Sequence, residues 1–293
     1  MKNATYERVF ETVIEEMEKG NAVWVRDWKG ANGLPKNAIT GSEYRGGNML
    51  ALMVRFGKTS GWLTYLQATK AGCTVRRGEK GASVYFMSQG FKKDANDKGH
   101  FFAKHYTVFN VSQLDGVIEG ALQKIKDRLN EETGNNFSPI NEIEKLVNET
   151  GVSVGSGSPS YSPMADSVSM PDISSFESRE GYYATLFHEM IHWTGHSSRL
   201  NRIKSSKFGS EEYAFEELVA ELGASFLCAH FGIGSVTRAG AYLRGWSKAC
   251  RQHADLLPKA ASLAQKAVDF ILSSEEQAKE VSENNVEELA LSS

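Results

Sequence analysis

The sequence predicts an α+β protein in two parts: an α+β domain over residues 1–115 and a mainly helical domain over 151–275. A helical linker, 116–150, joins them, and an acidic tail, 276–293, is expected to be disordered. Three observations predict this. At 293 residues the chain exceeds one small core and is comfortable with two. Short β-branched and aromatic runs between Gly-rich turns fill the first third, whereas helical periodicity dominates after residue 180. Charge divides in the same way. Lys and Arg number 17 against 10 Asp and Glu in residues 1–110, and the totals of 33 and 36 leave 16 against 26 beyond them. A basic first part suits a polyanion, and an acidic remainder suggests a second surface with a different partner.

The elements follow in order. Tyr6, Val9, Phe10, Val13, Ile14 and Met17 recur at helical spacing with Glu and Lys between them, which predicts an amphipathic opening helix without the apolar core of a signal peptide. A Trp- and Gly-rich stretch, 24–47, and an apolar segment, 49–54, come next. Trp62 to Ala71 reads as a short helix ended by Gly72. Strands are expected at 74–75 and 83–86 around a turn at 76–81, and again at 101–110. Helical periodicity resumes at 117–135. The Ser/Gly/Pro-rich segment 151–175 contains one alternating strand, Ser167 to Met170, whose edge would suit an extended peptide. Helices are then expected at 181–194, 211–230, 238–253 and 259–279. No apolar run approaches the ~20 residues needed to span a bilayer, so a cytoplasmic protein without membrane contact is expected. Cys73, Cys228 and Cys250 are far apart and lack metal-ligand spacing, which reads as reduced, buried thiols.

Chemistry concentrates in His188-Glu189-Met190-Ile191-His192. A four-residue step on an α-helix turns by only about 40° and rises about 6 Å, so both imidazoles leave one face and can close on one ion. Glu189 stands beside them as candidate general base, the arrangement of a zinc metallopeptidase helix. Apolar residues precede the motif and Gly195 follows it, as for a buried helix that stops sharply. Downstream, Glu216, Glu217 and Glu221 lie among Leu218, Val219, Leu222 and Phe226, and carboxylates in such surroundings need a cation or a partner. Glu217 and Glu221 share a face, so Glu217 is expected as third ligand and Glu221 as acceptor for a ligand histidine N–H. Glu216 is the main competitor for the ligand role. His196 lies too far along the axis to share an ion with His188, and the third histidine of the metzincin pattern would fall at Ser198. Zn2+ is the expected ion, although a His/His/Glu set also accepts Mn2+, Co2+ or Ni2+.

In the first part, Trp24, Trp28, Tyr44, Trp62, Tyr65 and Tyr85 are interleaved with Arg26, Lys29, Lys36, Arg45, Lys58, Lys70, Arg76, Arg77 and Lys80. Aromatic faces stack on unpaired bases while Lys and Arg track phosphates, so these residues are candidates for single-stranded DNA binding; the alternative is that the rings are core.

The segments Asn37 to Gly41, Tyr44 to Asn48, Gly78 to Gly81 and Val108 to Asn110 resemble the N-terminal domain of ArdC-type antirestriction proteins, shared with TraC-type plasmid primases. The likeness continues through Met170-Pro171, Tyr182 to Thr185, His188-Glu189, His192 to His196, Arg199-Leu200 and Glu216 to Gly223. It implies a plasmid-encoded factor that protects incoming DNA from host restriction, with a single-stranded-DNA-binding N-terminal domain and a zincin-like metallopeptidase C-terminal domain. It also implies metal ligation by His188, His192 and a downstream glutamate, with Glu189 as base. Single-stranded DNA and a host protein such as a restriction component are the implied partners. The competing expectation is a DNA-masking protein without proteolysis, whose metal is structural.

Overall fold

The computed structural model describes residues 2–21, 34–53, 60–89, 101–117, 120–131, 139–176, 178–203, 210–233 and 243–291. Along the chain run α1 (Lys2–Glu18), β1 (Lys36–Asn37), α2 (Gly47–Met53), β2 (Gly61–Thr64), α3 (Tyr65–Lys70), β3 (Cys73–Val75), β4 (Ala82–Gln89), β5 (Phe101–Asn110), β6 (Leu114–Gly116) and α4 (Ala121–Glu131). There follow α5 (Pro139–Thr150), β7 (Ser153–Ser156), β8 (Ser160–Ser162), β9 (Ser167–Met170), α6 (Arg179–Thr194), α7 (Glu211–His230), α8 (Leu243–Gln252) and α9 (Leu256–Leu291). The fold is α+β, in two compact units.

The first unit takes the described residues as far as Glu131 and those of 243–259. Its main sheet has the order β1-β2-β5-β4, with β1 parallel to β2 and the other pairs antiparallel. The Trp62-Leu63-Thr64 segment, expected as helix, is strand β2, because its alternation sends Trp62 and Leu63 into different apolar clusters. Thr64 then starts α3 at once, its hydroxyl accepting the Gln67 N–H at 3.2 Å. The outer strand β4 is closed by a side chain of α2: the Asn48 amide donates to Tyr85 O at 2.6 Å and accepts its N–H at 2.8 Å, as a neighbouring strand would. Helix α1 buries Val9, Phe10, Val13, Ile14 and Met17, the face its periodicity predicts. Helix α8 joins this unit through Arg251, which pairs with Glu11 at 2.6 Å and Glu18 at 2.9 Å.

The second unit takes the described residues from Pro139 to Ile233 and those from Ala260 onward. Its small sheet has the order β7-β9-β8. Strand β9 is thus central, with both edges paired, which corrects the expectation that Ser167 to Met170 offers a free edge. The linker expected over 116–150 is likewise divided between units: α4 sends Ile125 into the first core, while Ile143 and Leu146 of α5 are buried in the second unit. Helix α9 buries Ala260, Ala264, Ala267, Val268 and Ile271 and continues to Leu291, through the stretch expected to be disordered. Glu, Ala, Lys and Leu favour helix, and a helix already anchored extends without a new nucleus.

Among the described residues no helix is long and apolar enough to cross a membrane.

Candidate metal centre and nucleic-acid surface

Helix α6 begins where the Ser178 hydroxyl accepts the Gly181 N–H at 3.0 Å. From Tyr183 to Trp193 every residue is buried, so the helix forms an interior wall and its polar groups must find partners there. Helix α7 packs against it in the opposite sense, with Glu216 near its start facing His192 and Phe231, just past its end, stacked on Phe187. Gly223 permits the close approach: a Cβ there would lie 2.6 Å from Ile191 Cδ1.

Three side chains converge. His188 Nε2 and His192 Nε2 are 3.2 Å apart, Glu217 Oε2 is 3.4 Å from His188 Nε2, and Glu217 Oε1 is 3.6 Å from His192 Nε2. A tetrahedral ion with bonds of about 2.0–2.1 Å places its ligands about 3.3 Å apart, so these donors have the spacing and chemistry of a His/His/Glu metal site. Three carboxylates, Glu216, Glu217 and Glu221, face two imidazoles and Arg202, an imbalance that a dication would offset.

Each imidazole is held from behind. His192 Nδ1 lies 3.2 Å from Glu216 Oε1, and His188 Nδ1 lies 3.7 Å from Glu221 Oε1. Glu216, which competed with Glu217 as ligand in the sequence, therefore faces the far side of His192. Arg202 fixes it there, with Nε and Nη2 each donating to the Glu216 carboxylate at 2.8 Å. The same guanidinium donates to Ile191 O at 2.6 Å and Thr194 Oγ1 at 3.2 Å, satisfying the carbonyl end of α6. Burial opposes a charged His192, but Glu216 and Glu217 outweigh it and raise the imidazole to about 10. Burial likewise opposes ionised Glu217, yet His188 and His192 hold its carboxyl well below the usual carboxylate range. Glu189, the candidate base, follows His188 in α6 and is 5% exposed.

After α6 the chain folds back through Gly195, whose carbonyl accepts from Arg202 and Ile203 N–H at 2.9 Å. Arg199 covers the Trp193 ring at 4.0 Å, donates to Trp193 O at 2.8 Å, and forms a two-pronged pair with Asp166. Asp166 also accepts from the Tyr161 hydroxyl at 2.9 Å. His196 bonds Ser198 at 2.7 Å, apart from the converging set. Sequence spacing passed over Arg202 and Asp166. Two arginines three apart after a helix-ending glycine were the available signal for the carbonyl cap, but nothing local linked Asp166 to it.

The first unit redistributes the expected DNA-contacting residues. Trp24, Arg26, Trp28, Lys29 and Lys58 lie outside the described residues. Trp62 is 1% exposed, which corrects its expected stacking role: it belongs to the core with Leu52, Val84 and Val108. Tyr44 and Lys36 are also buried. Arg76 is engaged internally, with Glu79 at 3.0 Å and the Leu114 carbonyl at 3.3 Å. Arg45, Arg77 and Lys80 are exposed. Among the described residues the exposed rings are Tyr65, which the sequence also offered, and Phe86 and Tyr106, which it did not.

Comparison with known proteins agrees with both units. Residues 3–109 match the N-terminal domain of anti-restriction factor ArdC, and residues 141–263 match a zincin-like metallopeptidase family. The metal-free crystal structure of the antirestriction ArdC protein from plasmid R388 is 33% identical, with a TM-score of 0.73, covering 93% of this chain and 98% of that one. The chain belongs to the ArdC antirestriction family. The Mn(II)-bound structure of that ArdC protein matches with the same identity and TM-score over 92% of this chain and 97% of that one. A DNA primase TraC from Escherichia coli is 34% identical over 94% of this chain, but the chain spans only 28% of that primase. The C-terminal unit is thus zincin-like within an ArdC-type architecture.

Proposed function

We propose that the protein is an antirestriction factor whose first unit binds single-stranded DNA and whose second unit is a divalent-metal peptidase, protecting incoming plasmid DNA in the cytoplasm during conjugation. The observation that carries this reading is the convergence of His188, His192 and Glu217 with buried Glu189 alongside. The Mn(II)-bound ArdC relative supports a divalent ion, Zn2+ by donor type, with Mn2+, Co2+ or Ni2+ also suited. Relatedness to a DNA primase and the basic first third support nucleic-acid binding.

His188, His192 and Glu217 would hold the ion. When bound, it supplies Lewis-acid polarisation and makes water acidic enough to deprotonate near neutral pH. Glu216 accepts from Nδ1 of His192, which fixes the tautomer that turns its Nε2 lone pair inward, and Glu221, 3.7 Å from Nδ1 of His188, favours the same orientation electrostatically. Glu189 takes a proton from the attacking water on its carboxylate and returns it to the leaving amine. The substrate class is a host protein, such as a component of the restriction apparatus.

The test is Glu189→Gln, with metal content and restriction protection measured together. Loss of protection with metal retained is the expected result. Protection that survives with metal retained would replace this reading by DNA masking around a structural metal.

A further inference from the structure

The first unit carries a pocket of about 270 Å3, lined in part by Tyr44, Thr64, Gln67, Phe86 and Tyr106. Drug-sized ligands occupy roughly 300–1,000 Å3, so this space admits a fragment the size of one base. Strand register places its walls on one face: Phe86 pairs with Lys104, Val84 with Tyr106, and both Ala82 and Thr64 with Val108. Side chains two apart share a face, so Thr64, Val108, Tyr106, Lys104 and Phe86 line one side of the sheet.

Three properties of this face point to its ligand. Phe86 and Tyr106 are 50% and 43% exposed, meet edge to face at 5.5 Å, and stand over an otherwise buried cluster, so apolar ring surface is held open to solvent. The pocket floor is polarised towards donation. Gln67 Oε1 already accepts from Thr64 N at 2.9 Å, Thr64 Oγ1 at 3.1 Å and Asn37 Nδ2 at 3.2 Å, so what this amide has to offer a ligand is its N–H donors. Tyr44, buried and hydrogen-bonded by Asn37, adds a hydroxyl donor. Finally, exposed Lys104 lies opposite Phe86 in register on the same face. Flat ring, donor-lined floor and flanking cation match the three parts of a nucleotide in an unpaired strand: base face, carbonyl-bearing base edge and phosphate.

We propose that this pocket seats one base of single-stranded DNA, stacked against Phe86 and Tyr106 with its carbonyl edge on Gln67 and Tyr44, while Lys104 meets the adjoining phosphate. The inference rests on the nucleic-acid reading above and narrows it to a place and a contact mode. It predicts that affinity depends on bases as well as on charge.

The test uses the full chain, a labelled oligo(dT) strand, and an abasic strand of equal length, in binding titrations read by fluorescence anisotropy. Phe86→Ala and Tyr106→Ala should each weaken oligo(dT) binding about tenfold or more and leave abasic binding unchanged, with Phe86→Trp restoring it. Tyr44→Phe, which keeps the packed ring, should weaken oligo(dT) alone by a few fold. Lys104→Ala should weaken both strands and flatten the salt dependence. Thermal melting checks that each variant is folded. Equal affinity of the intact protein for the two strands, or oligo(dT) binding unmoved by both ring deletions, would overturn the pocket and leave DNA binding standing. Absence of binding to either strand would overturn the nucleic-acid reading and this inference with it.

Discussion

In the second unit the candidate functional groups are ionisable and buried. In the first they are neutral rings left in solvent beside exposed Lys104. His188, His192, Glu189 and Glu221 are each less than a tenth exposed, yet Phe86 and Tyr106 remain about half exposed while Trp62, of similar chemistry, is fully covered. A buried charge is costly enough that every neighbour must answer it, so the α6–α7 contact is a closed set of partners running from Glu217 through His192 and Glu216 to Arg202. An exposed ring constrains almost nothing around it. Loss of a part should therefore spread through the cluster between α6 and α7 and stay local on the sheet face that carries Phe86 and Tyr106.

The largest effect should come from removing a ligand. Metal analysis of purified His188→Ala and Glu217→Ala should show bound divalent ion falling from about one per chain to near zero, with lowered thermal stability that added metal does not restore. Retention of full stoichiometry in both would dissolve the contrast. Next in size is the difference between two aromatic positions of the first unit. Chemical denaturation should show Trp62→Ala costing about 3–5 kcal/mol, whereas Phe86→Ala should stay within about 0.5 kcal/mol.

Arg202→Met leaves Glu216 beside His192 without its guanidinium partner, and metal titration should show affinity reduced about 10–100-fold. Arg202→Lys should recover little of this, because one ammonium cannot bridge Glu216, Ile191 O and Thr194. The smallest effect concerns acid. The Arg199 hydrogen bonds hold Asp166 down at about 2 against an ordinary value of 3.8, so the pair stabilises the fold fully above about pH 4 and loses that contribution as pH falls towards 2. Asp166→Asn keeps a side chain that tolerates the positive φ of 48°. Its stability deficit relative to the parent protein should shrink over that pH interval, modestly, since Asp166 is about a third exposed and solvent screens the pair.

Much of the metal centre was readable from the chain because helical geometry is local. Spacing of four put His188 above His192 and Glu217 above Glu221, and surrounding Leu and Val marked both helices as interior. What spacing left open was the choice between Glu216 and Glu217, since rotation of one helix against another is set by packing, here by the contact of Ile191 with Gly223. The first unit was less legible. Composition does not say which face of a strand is covered, so it cannot separate covered Trp62 and Tyr44 from exposed Phe86 and Tyr106. The helix read over Trp62 to Ala71 failed at its start, where pairing with β5 overrode a weak local preference.

The sequence by itself determined the α+β division, the opening helix, the pair of buried helices, and the convergence of two histidines with a glutamate, because each follows from periods of 2.0 and 3.6 residues acting within a short stretch. Tertiary structure alone decided that α8 returns to the first unit through Arg251, that β9 is enclosed by β7 and β8, that Arg202 steadies Glu216, and that Phe86 and Tyr106 rather than Trp62 face solvent. Those outcomes depend on contacts between residues distant in the chain, where burial and hydrogen-bond satisfaction are settled jointly and no local pattern carries the information.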